Sequence, residues 1–233
     1  MELDLASAAF WIAVGQIILI DIVLSGDNAV VIALACRNLS PDQRRQGIFW
    51  GVAGAVSLRV VLTVFAALVM DLPWLKLVGG ALLVWIAVKL MLPEDEDGHD
   101  IESSANLWGA VKTIVVADFV MSLDNVIAVA GAAHGSLVLL LFGLAVSIPL
   151  IVWSSQIILH WMERFPSIVL FGAGLLGYVA GQMIFTDPGV IAVLPPLPVW
   201  APKVAGAVGA LLVVGVGRWL EQRILARQDV TVL

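Results

Sequence analysis

The sequence predicts an all-α, polytopic membrane protein with seven spanning helices, six of them forming a 3+3 inverted-topology repeat and the seventh standing C-terminal to it. Three observations lead there. The 233 residues are 61% hydrophobic and only 13% charged, whereas soluble domains carry about 25% charged residues. Apolar runs recur along the chain between short polar breaks, at the ~20-residue length that crosses a bilayer core. One polar motif occurs twice, 97 residues apart, inside two of those runs.

The apolar runs place spans near residues 10–34, 48–70, 72–92, 107–132, 137–161, 168–185 and 202–220. Residues 1–7 carry Glu2 and Asp4 and no basic residue. A cleavable signal peptide needs a positive segment there, so the first run is expected to be retained. Between spans three and four lies the acidic stretch Glu94-Asp-Glu-Asp-Gly-His-Asp100, expected to be a solvated loop. The basic residues then set orientation. Arg37, Arg44, Arg45, Lys89, Lys112, Arg164, Arg218, Arg223 and Arg227 fall on one side of this layout, against Lys76 and Lys203 on the other. The richer side is expected to be the cytoplasm, with the N-terminus outside and the C-terminus inside. Arg59 is left in the middle of the second span.

The repeat extends beyond the polar motif. Ala55-Val56-Ser57-Leu58 in span two resembles Ala145-Val146-Ser147-Ile148 in span five. In span three, Leu77-Val-Gly79-Gly80-Ala-Leu82-Leu83-Val-Trp85-Ile-Ala87 resembles Leu170-Phe-Gly172-Ala-Gly174-Leu175-Leu176-Gly-Tyr178-Val-Ala180 in span six. A unit with an odd number of spans must enter the membrane from the opposite side when it recurs, and substrate sites in such folds lie near the midplane. The expected organisation is a first repeat over 1–92, an acidic cytoplasmic loop over 93–106, and a second repeat over 107–185. Residues 186–233 then supply a periplasmic loop, the seventh span and a cytoplasmic tail.

The twin motifs read Asp21-Ile-Val-Leu-Ser25-Gly26-Asp27-Asn28 and Asp118-Phe-Val-Met-Ser122-Leu123-Asp124-Asn125. At 1.5 Å per residue, Asp21 and Asp118 sit ~16 Å inside a ~30 Å core. A carboxylate there costs about 2.5–3.5 kcal/mol and needs an ion, a proton or a partner. Spacing i, i+4, i+7 puts Asp21, Ser25 and Asn28 on one helical face, and likewise Asp118, Ser122 and Asn125. Asp27 and Asp124 point away from that face in a regular helix; they join it only if the helix unwinds, which Ser25-Gly26-Asp27-Asn28 permits more readily than the Leu123 version.

Carboxylate and amide oxygens are hard ligands suited to Mg²⁺, Ca²⁺ or Mn²⁺. The candidate metal ligands are therefore Asp21, Asp27, Asn28, Asp118, Asp124 and Asn125, supported by Ser25, Ser122 and Arg59. Arg59 either pairs with one of these acids when metal is absent or snorkels into a water-filled cavity. Cys36 is the only cysteine, which excludes an intrachain disulfide and a thiolate cluster. His99, His134 and His160 are scattered. Gly79, Gly80, Gly172 and Gly174 fit close helix packing, and Trp11, Trp50, Trp74, Trp108, Trp161, Trp200 and Trp219 fit interfacial belts. No basic patch suggests nucleic acid; the expected partners are the lipid bilayer and a metal ion, and no oligomeric state can be read.

With the residues of these two motifs and Gly80-Ala-Leu-Leu-Val-Trp-Ile-Ala-Val-Lys-Leu90, the chain resembles the integral membrane TerC family, particularly its YjbE-type branch. The resemblance covers about Phe10 to Leu220. It implies manganese efflux across the bacterial inner membrane, within a LysE-type superfamily that also holds amino-acid exporters. The expected protein is a transporter of Mn²⁺ or another divalent cation, with no catalytic residues, no cofactor and release linked to carboxylate protonation. Two alternatives stand beside it: an intramembrane aspartyl protease using an Asp dyad, and a scaffold that hands metal to secreted proteins.

Overall fold

The computed structural model describes residues 11–12, 14–16, 18–19, 26–65, 72–92, 103–132, 137–194 and 198–231, with side chains at these positions except 26, 103–105, 124, 126–132, 137, 139–140 and 227–231. All regular structure among the described residues is helical. The helices are α1 (Gly26–Cys36), α2 (Pro41–Val64), α3 (Leu75–Lys89), α4 (Ser103–Ala132), α5 (Leu137–Arg164), α6 (Ser167–Phe185), α7 (Pro188–Val193) and α8 (Ala201–Thr231). Helices α2, α4, α5, α6 and α8 are each long and apolar enough to cross a membrane. All nine tryptophans are exposed, along with many Leu, Val, Ile and Phe side chains, while Arg59, Asp118 and Asn28 are buried. Apolar outside and polar inside is the arrangement lipid demands.

Helix ends differ from the hydropathy boundaries in both directions: α3 covers only Leu75–Lys89 of the expected 72–92 and α2 ends at Val64 instead of residue 70, while other ends run past the expected span. α2 begins at Pro41, seven residues before the expected span, and α8 continues to Thr231, well past residue 220. Hydropathy marks where the bilayer core begins, whereas a helix continues into the aqueous interface wherever its residues allow. At α2 the start is favoured by Pro41 in the first turn and Asp42 beside the helix N-terminus, while Ser40 at the cap position makes no side-chain hydrogen bond. The short α7 was not anticipated. Residues 93–102, most of the acidic stretch, lie outside the described residues, and 103–106 belong to α4.

The chain forms two compact units, Met1–Asp71 with Leu107–His160, and Leu72–Asn106 with Trp161–Leu233. Unit 1 takes the segments expected to form the first two spans of each repeat; unit 2 takes those expected to form the third, with α8. In unit 1, α1 is apolar on nearly every side, and Ala29, Val31, Ile32, Ala33, Leu34 and Cys36 are all buried. A short connection joins it to α2, tied by the Arg44 guanidinium donating to the Arg37 carbonyl at 2.9 Å. α2 approaches α4 through Gly47, Gly51 and Gly54: a methyl on Gly51 would lie 2.6 Å from Ile114 Cδ1, and one on Gly54 2.7 Å from Val115 Cγ2. Residue numbers rise together along both helices at these contacts, so α2 and α4 run parallel.

In unit 2, α6 and α8 cross backbone against backbone. A methyl on Gly181 would collide with the Ala205 carbonyl oxygen, and one on Gly209 with that of Gly177. Numbers fall along one helix as they rise along the other, so this pair is antiparallel. Gly80 brings α3 close to α6, where a methyl on it would lie 2.9 Å from the Ala180 carbonyl oxygen, in line with the close-packing reading of that glycine.

Asp187 holds the same unit together at a helix junction. Its Oδ1 accepts hydrogen bonds from the N–H groups of Gly189, Val190 and Trp74 at 2.7, 3.1 and 3.0 Å, and its Oδ2 from Lys76 and Leu77 at 3.0 and 3.3 Å. One carboxylate thus caps both α7 and α3, meeting the orphan donors of two first turns. Trp74, which precedes α3, adopts a left-handed backbone conformation with φ 69°. Burial pushes the Asp187 carboxyl up, but hydrogen bonds from the backbone of Trp74, Val190, Leu77 and Gly189 outweigh it and hold the group below its ordinary value of 3.8.

Asp187→Ala is expected to lower unfolding stability by about 2 kcal/mol, because two caps are lost together. The carboxyl titrates lower in the folded than in the unfolded chain. Its stabilisation is therefore complete above pH 3.8 and fades as the pH falls through the depressed folded value. Thermal melts of detergent-solubilised protein from pH 7 down to about pH 2 should show this acid loss in the wild type and not in Asp187→Ala; parallel pH profiles would contradict the double cap.

Candidate functional site

The parallel approach of α2 and α4 sets the site. On α2, Gly51, Ala55 and Arg59 follow at i, i+4 and i+8, so the face that meets α4 through Gly51 carries Arg59 two turns further on. On α4, Ile114 is followed one turn later by Asp118. The two charges meet as a consequence: Arg59 Nη2 donates to Asp118 Oδ1 at 2.6 Å, with both side chains buried. Ser122 closes a triangle with them. Its hydroxyl donates to Asp118 Oδ2 at 3.2 Å and accepts from Arg59 Nε at 3.3 Å. Of the two expectations for Arg59, pairing with an acid is the one realised.

Asn28 on α1 faces this group from the other side. It is 5% exposed, and neither its Oδ1 nor its Nδ2 has a hydrogen-bond partner. Leaving a buried amide unpaired costs about 1–3 kcal/mol or more, so such an atom requires a reason. A cavity lined by Asn28, Arg59 and Asp118 together with Val31, Ile32, Val52, Ala55, Val56, Ile114 and Ile151 lies against it, with about 20 Å³ of room for water centres. That is enough for one small guest. Asp27 stands beside Asn28, half-buried; its Oδ1 accepts the Asn28 N–H at 2.9 Å, and the charges of Arg59 and Asp118 both act on it.

The structure therefore brings together Arg59, Asp118 and Ser122, with Asn28 lining the same cavity as Arg59 and Asp118 and Asp27 next to it in the chain. Asp21 and Ser25 lie outside the described residues, as does the Asp124 side chain. Asn125 is half-buried on α4. The second motif is not unwound: α4 runs as a regular helix from Ser103 to Ala132, which keeps Asp118, Ser122 and Asn125 on one face. Among the described residues no group of three or more His, Cys, Asp or Glu is gathered. The hard donors present are one amide oxygen and two carboxylates, one of them already bonded to Arg59.

Sequence reasoning did not single out Asp187. Its signal was Asp187-Pro188-Gly189, an N-cap residue followed by proline at the first helical position.

Two opposite charges about 4 Å apart attract by on the order of 4 kcal/mol at an effective dielectric near 20, while each ion loses several kcal/mol of hydration on burial. The pair is thus close to balanced as long as both members are present. Asp118→Leu removes the carboxylate bonded to Arg59 and is expected to lower stability by up to about 3–5 kcal/mol, and adding Arg59→Met should recover most of that loss. Unfolding in detergent would measure both; a double variant no more stable than the single would contradict the pairing.

The whole arrangement can be compared with known proteins. A sequence profile of the integral membrane protein TerC family matches residues 6–224. The chain is 47% identical over 168 residues to the Bacillus subtilis (strain 168) membrane protein YjbE, covering 72% of this chain and 77% of the relative. It is 27% identical over 192 residues to the Escherichia coli (strain K12) inner membrane protein YgdQ, covering 75% and 80%. To the Bacillus subtilis (strain 168) membrane protein YceF it is 24% identical over 182 residues, covering 74% and 70%. No solved structure matches it. A buried charged cluster between apolar helices and a profile match over nearly the full length agree: the chain belongs to the integral membrane protein TerC family.

Proposed function

We propose that this protein exports divalent metal ions, Mn²⁺ foremost, across the inner membrane by alternating access around the Asp27, Asn28 and Asp118 cluster. The observation that carries the reading is Asn28. A side-chain amide with both ends unpartnered, buried against a water-sized cavity beside Asp118 and within the field of Asp27, is a ligand set awaiting a small guest. Oxygen donors favour a hard cation; manganese in particular rests on the family resemblance.

Seven spans in a 3+3 inverted repeat, with the N-terminus outside and the C-terminus in the cytoplasm, complete the proposal. Parallel α2 and α4, and the even sharing of repeat segments between the two compact units, support it. The protease alternative needs two acids sharing one proton, and Asp118 is instead bonded to a guanidinium that does not give up its proton. Release of the ion is linked in this proposal to protonation of one or more carboxylates.

Binding titrations and transport in sealed vesicles test the reading. Asp118→Asn is expected to weaken Mn²⁺ binding about 10–100-fold or more, the scale at which metal sites respond to lost polar partners. Asp124 lies six residues, ~9 Å along a regular helix, from Asp118, so Asp124→Asn should slow transport more than it weakens binding. Unchanged affinity in Asp21→Asn, Asp27→Asn, Asp118→Asn and Asp124→Asn alike would remove the metal site, and transport indifferent to a pH gradient would remove the proton linkage.

A further inference from the structure

Resting on that reading, we propose that Arg59 is a tethered counter-cation: in the ion-free protein its guanidinium occupies Asp118, and the transported cation must displace it to bind. The contacts specify the arrangement. Both Asp118 oxygens are committed, one to Arg59 Nη2 at 2.6 Å and the other to the Ser122 hydroxyl at 3.2 Å, and that same hydroxyl accepts from Arg59 Nε at 3.3 Å. A cation entering the cavity finds the amide oxygen of Asn28 free, but finds Asp118 only behind another positive charge.

Chemistry makes arginine the residue for this task. A lysine or histidine buried in lipid can shed its proton and leave the carboxylate alone; a guanidinium does not. A carboxylate left charged and empty at membrane depth is costly, so a carrier that releases its ion there returns readily only with a substitute cation in place. Arg59 is that substitute, carried on α2 and delivered to α4 by the close glycine contact between them.

The device exists on one side alone. In the sequence repeat, Ala55-Val56-Ser57-Leu58 aligns with Ala145-Val146-Ser147-Ile148, which places Pro149 opposite Arg59. Proline carries no charge, and Pro149 sits inside α5. The second span of one repeat thus supplies a cation to the first motif helix of the other, and the reciprocal contact has no cation to make.

The consequence is competition. If the Arg59-paired state holds about 90% of the ion-free protein, the apparent affinity for metal is about tenfold weaker than the intrinsic one. Removing the guanidinium should therefore tighten binding, the reverse of what loss of a structural residue does.

The test uses the full-length protein in proteoliposomes with Mn²⁺ as the probe. Arg59→Gln is expected to bind Mn²⁺ about tenfold more tightly than the wild type, and to lose far more of its net efflux than of its Mn²⁺-for-Mn²⁺ exchange. In Arg59→Ala, millimolar guanidinium should compete with Mn²⁺ and restore net efflux. Should these variants fail to fold, the wild type labelled with ¹⁵N at arginine suffices, its Arg59 Nε–H resonance identified by its loss in Arg59→Lys: saturating Mn²⁺ must shift that resonance. A wild type that binds no Mn²⁺ at all defeats the transport reading and this proposal with it. A wild type that binds Mn²⁺ through Asp118 while the Arg59 resonance stays in place, or an Arg59→Gln protein that folds and binds no more tightly, defeats the counter-cation alone.

Discussion

A guanidinium bonded to a carboxylate away from water is the constraint around which unit 1 is arranged. Neither Arg59 nor Asp118 could be buried alone in an apolar helix bundle, since each would carry an uncompensated charge. Their meeting requires α2 and α4 to approach closely and in the same direction, and the glycines at 47, 51 and 54 provide that approach. Ser122 fixes the pair by bonding to both members. Asn28 is the remainder: it reaches the same interior and finds no protein partner.

Unit 2 solves a different problem by the same physics. Its helices carry few charges and pack through glycines, with Gly177 and Gly181 of α6 meeting the backbone of α8 around Ala205 and Gly209. In lipid there is no hydrophobic gain from bringing two apolar helices together, so such surfaces rely on close van der Waals contact. The polar demand falls instead on the helix ends, where first-turn N–H groups have no intrahelical acceptor. Asp187 meets that demand for two helices with one side chain, and its proton affinity drops accordingly.

The two units each join segments that lie far apart in the chain. Residues 1–71 join 107–160 in the unit with the charged cluster, and 72–106 join 161–233 in the glycine-packed one. The charged cluster itself joins helices far apart in the chain, Arg59 coming from α2 and Asp118 from α4.

By itself the sequence determined the solvent and the inventory. Apolar runs of membrane length must be helical because lipid offers backbone groups no other partner, and the twin Asp motifs, the mid-span Arg59 and the exposed tryptophans were legible for that reason. Helix ends were less so, because hydropathy reports the bilayer boundary and not where backbone hydrogen bonding stops; hence the early start of α2 and the long α8. Only the tertiary structure decided which acid Arg59 takes, that Asn28 is left unpaired, and that Asp187 reaches back more than a hundred residues to cap α3. Periodicity along one helix says which side chains share a face; which face meets which neighbour, and at what distance, is set by packing between helices remote in the chain.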